Sequence, residues 1–197
     1  MRGQPQAAAE FYARAYLDRL THVLAALDPN EIDEAIALIR RIWDAGGQII
    51  TFGNGGSAMT AMHFITDWQK MAFLATGRSF RGRSLIDNMG LITAYANDVS
   101  YADVFREQLC NLARPEDLVI AISGSGNSEN VVRAVEFANE LGCETLALSG
   151  FSGGKLRQIA RHNIWVAVDD MQLVEDVHAI FGHIAMKALC GERVTPP

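Results

Sequence analysis

Apolar residues recur along the chain with two different spacings, one typical of helices and one typical of buried strands. Apolar positions that return every three or four residues predict helices over 7–27, 31–45, 58–73, 89–96, 101–112 and 173–190. Continuous apolar runs predict strands over 48–52, 118–122, 144–149 and 164–168, and a short strand is also expected near 83–86. This alternation of strands and helices indicates an α/β fold with a mostly parallel sheet and right-handed crossovers.

The two amphipathic segments before the first strand are separated by Asp28-Pro29-Asn30, and the second ends at Gly46-Gly47. Their apolar stripes cannot be buried against each other alone, so we expect both helices to pack on the sheet or on a partner subunit. No linker, low-complexity run or charge block divides the chain. We therefore predict a single domain over 1–197, with 1–46 forming the two leading helices.

Two of the predicted strands end in loops of small residues that lead directly into helices. The first loop is Gly53-Asn54-Gly55-Gly56-Ser57 and the second is Ser123-Gly124-Ser125-Gly126-Asn127-Ser128. Backbone N–H groups, serine hydroxyls and the positive end of a helix dipole converge in such a loop, which suits a phosphate. Both loops are expected at the carboxyl edge of the sheet, where open α/β folds bind ligands. A purely structural use of these turn residues stays open as the alternative.

The two loops do not carry a nucleotide-binding motif. Neither contains the Gly-Lys-Ser/Thr ending of a P-loop, and the first lacks the Gly-x-Gly-x-x-Gly spacing of dinucleotide-binding folds. A phosphorylated small molecule is therefore the favoured ligand.

Several polar residues could carry chemistry. His63 and Asp67 are four residues apart, so they share one face of a helix and could bind a metal ion or pair a base with its orienting group. A surface contact is the alternative. Glu175 and His183 interrupt the apolar stripe of the last helix, but eight residues rise about 12 Å in a helix. They meet at one ion only if both side chains reach toward each other or if Glu175 precedes the helix.

Composition excludes several classes of partner. The net charge is −6 and basic residues are not clustered, which argues against nucleic acid. No run of eighteen apolar residues is present, so no membrane span is expected. Cys110, Cys143 and Cys190 have no metal-binding or redox spacing, and we interpret them as reduced thiols of a cytoplasmic protein.

Taken together, these motifs resemble the sugar isomerase (SIS) domain, and within it the phosphoheptose isomerases, which act on sedoheptulose 7-phosphate. The resemblance covers nearly the whole chain and is most specific over 52–58, 91–98 and 122–128. It implies a three-layer α/β/α sandwich with a five-stranded parallel sheet. It also implies a homotetramer with active sites at subunit contacts, to which the leading helices contribute.

The resemblance further implies roles for individual residues. The phosphate and sugar would be held by Asn54, Gly55, Gly56, Ser57, Asn97, Asp98, Ser123, Gly124, Ser125, Ser128 and Glu175. A divalent metal ion, with zinc expected, would be held by His63, Asp67, Glu175 and His183. Asp67 would act as the catalytic base, and His183 would transfer a proton on the other side of the substrate. The alternative for Asn97-Asp98 is a simple helix cap or turn.

Two of these residues depart from the family pattern, because Asp67 replaces a Glu and Glu175 replaces a Gln. The first change withdraws the carboxylate by about 1.5 Å, one carbon–carbon bond, and the second adds a negative charge. Two imidazoles and two carboxylates still suit a divalent ion. The predicted reaction is the aldose–ketose isomerisation of sedoheptulose 7-phosphate to D-glycero-D-manno-heptose 7-phosphate. A non-catalytic sugar-phosphate-binding protein and an isomerase of a different sugar phosphate stay open as alternatives.

Overall fold

Five parallel strands form one sheet in the computed structural model, which describes residues 12–191. The strands are β1 (Ile49–Gly53), β2 (Gly82–Ser84), β3 (Leu118–Ser123), β4 (Glu144–Gly150) and β5 (His162–Val166). Their order across the sheet is β2-β1-β3-β4-β5, and every adjacent pair is parallel. The predicted α/β/α sandwich with a five-stranded parallel sheet is therefore confirmed.

Helices cover both faces of the sheet. They are α1 (Tyr12–Ala25), α2 (Pro29–Asp44), α3 (Gly56–Thr76), α4 (Met89–Asp98), α5 (Val104–Leu112), α6 (Glu129–Leu141), α7 (Gly154–Ile159) and α8 (Met171–Leu189), with a 3₁₀ turn at Tyr101–Asp103. Positions 7–11 of the first predicted helix lie outside the described residues.

Most predicted boundaries differ from the structure by one to three residues. The segment predicted as one helix over 101–112 is a 3₁₀ turn followed by α5, because the Ser100 hydroxyl donates to the Asp103 carboxylate at 2.6 Å and tightens the chain there. The last strand begins two residues earlier than predicted, since the polar residues His162 and Asn163 pair with Leu146 and Ala147 at the edge of the sheet. The short strand near 83–86 lies at Gly82–Ser84.

The central strand β3 shows why its sequence is continuously apolar. All six of its residues are buried. Leu118, Ile120 and Ile122 belong to the core under α2, α3 and α8. Val119 and Ala121 belong to the core on the other face, under α5 and α6. A strand covered by helices on both faces has no solvent-facing positions to alternate with.

The first helix, α1, rests on the start of α8. Its residues Leu20, Val23 and Leu24 pack against the cluster that contains Val174 and Val177. The Tyr16 hydroxyl donates to Asp176 Oδ2 at 2.6 Å, which raises the pKa of Tyr16 to about 12. No residue of α1 is buried. Within residues 12–191, no helix combines the length and apolar character needed to cross a bilayer.

Candidate active site

A cavity of about 270 Å³ opens at the carboxyl ends of β1 and β3, between the two small-residue loops and the start of α8. It is lined by Asn54, Gly55, Gly56, Ser57, Ile122, Ser123, Gly124, Ser125, Ser128, Met171 and Glu175. We call it the loop pocket. It brings together the predicted phosphate- and sugar-binding residues of both loops, at the edge where parallel sheets bind ligands.

The two glycines of the first loop serve different physical needs. Gly55 has φ +54°, a backbone conformation that favours glycine, and it caps α3 without a side-chain hydrogen bond. Gly56 leaves room for a neighbouring side chain: a Cβ there would lie 2.5 Å from Glu175 Oε1 and 2.8 Å from Oε2 and would displace this carboxylate. The Glu175 carboxylate therefore lies directly against the first turn of α3, whose positive dipole end favours a negative group.

The second loop presents hydroxyls to the same cavity. Ser128 is the N-cap of α6 but makes no side-chain capping bond, and its Oγ lies 3.2 Å from Ser123 Oγ instead. The Ser125 hydroxyl accepts a hydrogen bond from the Asn127 backbone N–H at 3.2 Å, so the Ser125 O–H proton stays available to donate to a ligand. The start of α6, without a side-chain cap, offers amide groups to an anion.

The two loops are joined by a pair of asparagines. Asn54 Nδ2 donates to Asn130 Oδ1 at 2.8 Å, and Asn130 Nδ2 donates back to Asn54 Oδ1 at 2.9 Å. The Tyr101 hydroxyl also donates to Asn54 Oδ1, at 2.8 Å. Sequence reasoning missed Asn130 and Tyr101. The only available signals were a polar residue in the first turn after the second loop and a tyrosine three residues after Asp98.

A second group of polar side chains lies further along α3 and α8. His63 Nε2 is 3.1 Å from Asp67 Oδ2, and His183 Nε2 is 3.9 Å from the same oxygen. The ring centroids of His63 and His183 are 5.1 Å apart. One ligand atom from each of these three residues lies within 4.8 Å of the others. We call this set the His–Asp–His group, and its donors suit a divalent transition-metal ion.

Gly182 explains how two helices bring these three side chains together. A Cβ at Gly182 would lie 2.1 Å from the Phe64 ring, so only glycine allows α8 to approach α3 this closely. The Trp68 indole N–H donates to the Gly182 carbonyl at 2.9 Å and fixes the contact. His183 follows immediately, and it therefore faces the helix that carries His63 and Asp67.

Of the four predicted metal ligands, Glu175 lies outside the His–Asp–His group, and the predicted sugar-binding residues Asn97 and Asp98 do not line the loop pocket. Glu175 is inside α8, whose first residue is Met171, and its carboxylate contacts Gly56 in the loop pocket. It therefore precedes His183 by about 12 Å of helix rise. Asn97 and Asp98 are exposed at the end of α4, where the Asn97 amide donates to Asp98 Oδ1 at 2.8 Å.

One histidine near the site belongs to the core. His178 is 1% exposed, and its Nε2 lies 3.4 Å from the Ser149 carbonyl oxygen. Burial lowers the pKa of His178 to about 4, because a charged imidazole would lose its hydration there. His178 is therefore a neutral packing residue, distinct from His183.

Comparison with known proteins agrees with this architecture. The SIS domain family model matches residues 11–150. A probable phosphoheptose isomerase from Thermoplasma volcanium is 36% identical over 169 residues, which is 86% of each chain. A phosphoheptose isomerase from Aquifex aeolicus is 33% identical over 155 residues, covering 79% of this chain and 81% of the relative.

A solved structure gives the same result. The phosphoheptose isomerase of Neisseria gonorrhoeae superposes with a TM-score of 0.82 and 28% identity, covering 93% of this chain and 96% of the other. With two small-residue loops at the edge of a parallel sheet and a matching family model, the chain belongs to the SIS domain family. Within that family, its sequence relatives make it a member of the phosphoheptose isomerases.

Proposed function

We propose that this protein is an aldose–ketose isomerase that converts sedoheptulose 7-phosphate to D-glycero-D-manno-heptose 7-phosphate. The observation that carries the proposal is the position of the loop pocket, lined by the serines of both loops, beside a His–Asp–His group on α3 and α8, the two helices whose first turns border that pocket, in a chain of the phosphoheptose isomerase family. The pocket suits the phosphate and the polar group suits the proton transfers.

The phosphate is bound by the serines of both loops. Ser57 and Ser125 donate hydroxyl hydrogen bonds to the phosphate. The hydroxyls of Ser123 and Ser128 lie 3.2 Å apart, so Ser123 donates to Ser128 Oγ and Ser128 donates to the phosphate. The backbone at Gly124 and at the start of α6 adds amide donors. Hydrogen bonds to a charged group are worth about 1.5–3 kcal/mol each. Because the phosphate is remote from the reacting carbons, this binding energy can orient them without taking part in the chemistry.

The sugar chain extends from the phosphate along the first loop. Asn54, Gly55, Gly56 and Glu175 line that side of the loop pocket. Asn97 and Asp98 contribute from the exposed end of α4, as the family pattern implies. The Glu175 carboxylate accepts hydrogen bonds from sugar hydroxyls, a role that the family glutamine shares only through its carbonyl oxygen.

Isomerisation requires a proton to leave the carbon beside the carbonyl and to return to the neighbouring carbon. Asp67 takes the proton from C1 of the ketose and delivers it to C2, which converts the ketose to the aldose through an enediolate. His183 moves the accompanying proton between the two oxygens. In the structure both histidines contact Asp67 through Oδ2. Oδ1 is therefore the oxygen assigned to the carbon-bound proton.

The three donors of the His–Asp–His group would hold a divalent metal ion, and zinc suits two imidazoles and a carboxylate. When bound, such an ion supplies a Lewis acid that stabilises negative charge on the substrate oxygens. The expectation that Glu175 is a fourth ligand stays a prediction, since its carboxylate contacts Gly56 in this structure.

We also propose that the protein is a single SIS domain that works as a homo-oligomer in the cytoplasm, most simply a tetramer. Large apolar side chains are exposed on α1 and α3, including Leu17 at 60%, Phe73 at 53% and Leu74 at 67%. Such surfaces are typical of protein–protein contacts. Sedimentation equilibrium at micromolar concentration should show a species larger than the monomer, and a monomer would contradict this part of the proposal.

Asp67 and Glu175 support one competing function, the isomerisation of a different sugar phosphate. The shorter base at Asp67 alters the His–Asp–His group, and the added charge at Glu175 alters the side of the loop pocket proposed to contact the sugar, while both loops keep the residues of the family pattern. Turnover of sedoheptulose 7-phosphate should therefore be compared with that of pentose and hexose phosphates. Preference for one of the latter by at least tenfold in kcat/KM would favour the competing function, and binding without turnover would favour a non-catalytic role.

A further inference from the structure

Both acceptor positions of the Asn54 carbonyl oxygen are occupied by protein donors. One comes from Asn130 Nδ2 at 2.9 Å and the other from the Tyr101 hydroxyl at 2.8 Å. A carboxamide oxygen has two lone pairs, so it has no further capacity to accept. One of the two Asn54 amide protons is also used, by Asn130 Oδ1. The group left for a ligand is the second Asn54 N–H.

We propose that Tyr101 and Asn130 are positioning residues that fix the Asn54 carboxamide, so that it faces the loop pocket as a hydrogen-bond donor. This inference rests on the proposed function, since it assigns Asn54 a contact with the sugar phosphate. An N–H presented in this way recognises an acceptor oxygen, and it rejects a substrate that places a donor there. Tyr101 and Asn130, which do not line the pocket, therefore determine whether the N–H or the C=O of the Asn54 carboxamide contacts the substrate.

The network is built to hold its orientation. Asn130 is 3% exposed and Asn54 is half-buried, so little water can compete for the hydrogen bonds on the Asn130 side of the pair. An ion pair between Asp103 and Arg133 connects the 3₁₀ turn that carries Tyr101 to α6, the helix that carries Asn130. Arg133 on α6 donates to both Asp103 oxygens, at 3.1 and 2.9 Å. Ser100 and Arg133 together lower the pKa of Asp103, which keeps this tie charged.

Tyr101→Phe tests the proposal, because it removes only the hydroxyl. Tyr101 is 58% exposed, so the change should leave the melting temperature unaltered. Tyr95→Phe is the matched control: the Tyr95 hydroxyl accepts from the Asn111 amide at 2.9 Å and is not part of the loop pocket lining. Turnover of sedoheptulose 7-phosphate and its binding by calorimetry are measured for both variants.

We expect KM and Kd for the sugar phosphate to rise about tenfold in Tyr101→Phe, the effect of one lost hydrogen bond, with a smaller change in kcat. Inhibition by inorganic phosphate should be unchanged, since the serines are untouched. Tyr95→Phe should behave as the parent. In an Asn54→Ala background, Tyr101→Phe should have no further effect on Kd, because the group it positions is gone.

Parental Kd and KM in Tyr101→Phe would overturn the proposal, as would an equal loss of affinity in the Asn54→Ala background. Asn130→Ala is expected to act in the same direction, and its unfolding curve separates positioning from loss of the fold. A parent protein that turns over no sugar phosphate would instead overturn the proposed function. The calorimetric comparison would still decide the role of Tyr101.

Discussion

Removing the hydroxyls of Ser125 and Ser128 should abolish most of the affinity of the loop pocket for phosphate. Each hydroxyl is expected to donate to a charged oxygen, and such hydrogen bonds contribute about 1.5–3 kcal/mol. The loss of two such hydrogen bonds removes about 3–6 kcal/mol of binding free energy. Water that enters the space left by the hydroxyls partly replaces them, so the observed loss should lie near the lower value. Since about 1.4 kcal/mol corresponds to a tenfold change, the Kd should rise by at least about a hundredfold.

The structure also defines what must be controlled. The Ser125 hydroxyl accepts from the Asn127 backbone N–H, and the Ser128 hydroxyl contacts Ser123 Oγ, so the double variant loses two loop contacts as well as two ligand contacts. Its melting temperature must therefore be measured. Ser149→Ala is the matched control, because Ser149 pairs with Ser123 across the sheet while its buried Oγ makes no hydrogen bond within residues 12–191. That variant should bind phosphate as the parent does.

The assay is calorimetric titration with inorganic phosphate and with sedoheptulose 7-phosphate. Both ligands should lose affinity in Ser125→Ala/Ser128→Ala, whereas unphosphorylated sedoheptulose should show no difference between parent and variant. If the folded double variant keeps the parental affinity for both phosphorylated ligands, the loop is structural and the reasoning is refuted.

Three further outcomes follow from particular contacts. Gly56→Ala should weaken sugar-phosphate binding, because its Cβ would lie 2.5 Å from Glu175 Oε1. In a Glu175→Ala background the same change should cause no further loss of affinity, and additive losses of affinity would contradict this coupling. Gly126→Ala should destabilise more than the roughly 1–2 kcal/mol set by positive φ alone, since its Cβ would lie 2.0 Å from the Gly153 carbonyl oxygen. The control is Gly46→Ala, because Gly46 also has a positive φ of +79° but a Cβ there would meet nothing within 4 Å. Equal losses in the free energy of unfolding of the two variants, measured in urea, would contradict this reasoning. Because the pKa of His178 falls from 6.5 to about 4 on folding, the unfolded chain binds more protons in that window. The free energy of unfolding should therefore drop by up to about 3 kcal/mol as the pH falls through it, at 1.36 kcal/mol per pKa unit, and His178→Gln should show a flatter dependence.

Much of the architecture could be predicted because its signals are local. The continuous apolar character of β3 reflects burial on both faces, and glycine and serine directly after a strand mark a turn into a helix. Helix ends were predicted less well where side-chain hydrogen bonds decide them. The 3₁₀ turn before α5 depends on a contact between Ser100 and Asp103 that periodicity does not reveal.

The candidate site was predictable only in part, since its contacts join distant segments. The spacing of His63 and Asp67 indicates a shared helix face, but His183 joins them only because Gly182 lets α8 approach Phe64. The link between Asn54 and Asn130 spans 76 positions. The residue spacing raised the question of whether Glu175 and His183 could meet, and the structure places the Glu175 carboxylate against Gly56.

The most direct test of the account is turnover itself. The parent protein should be incubated with sedoheptulose 7-phosphate, in parallel with added zinc and with a chelator, and the products followed by NMR. The account predicts formation of D-glycero-D-manno-heptose 7-phosphate, exchange of a carbon-bound proton with solvent deuterium, and loss of this exchange in Asp67→Asn. Binding of the sugar phosphate without isomerisation or exchange, with zinc and with chelator alike, would contradict the central claim.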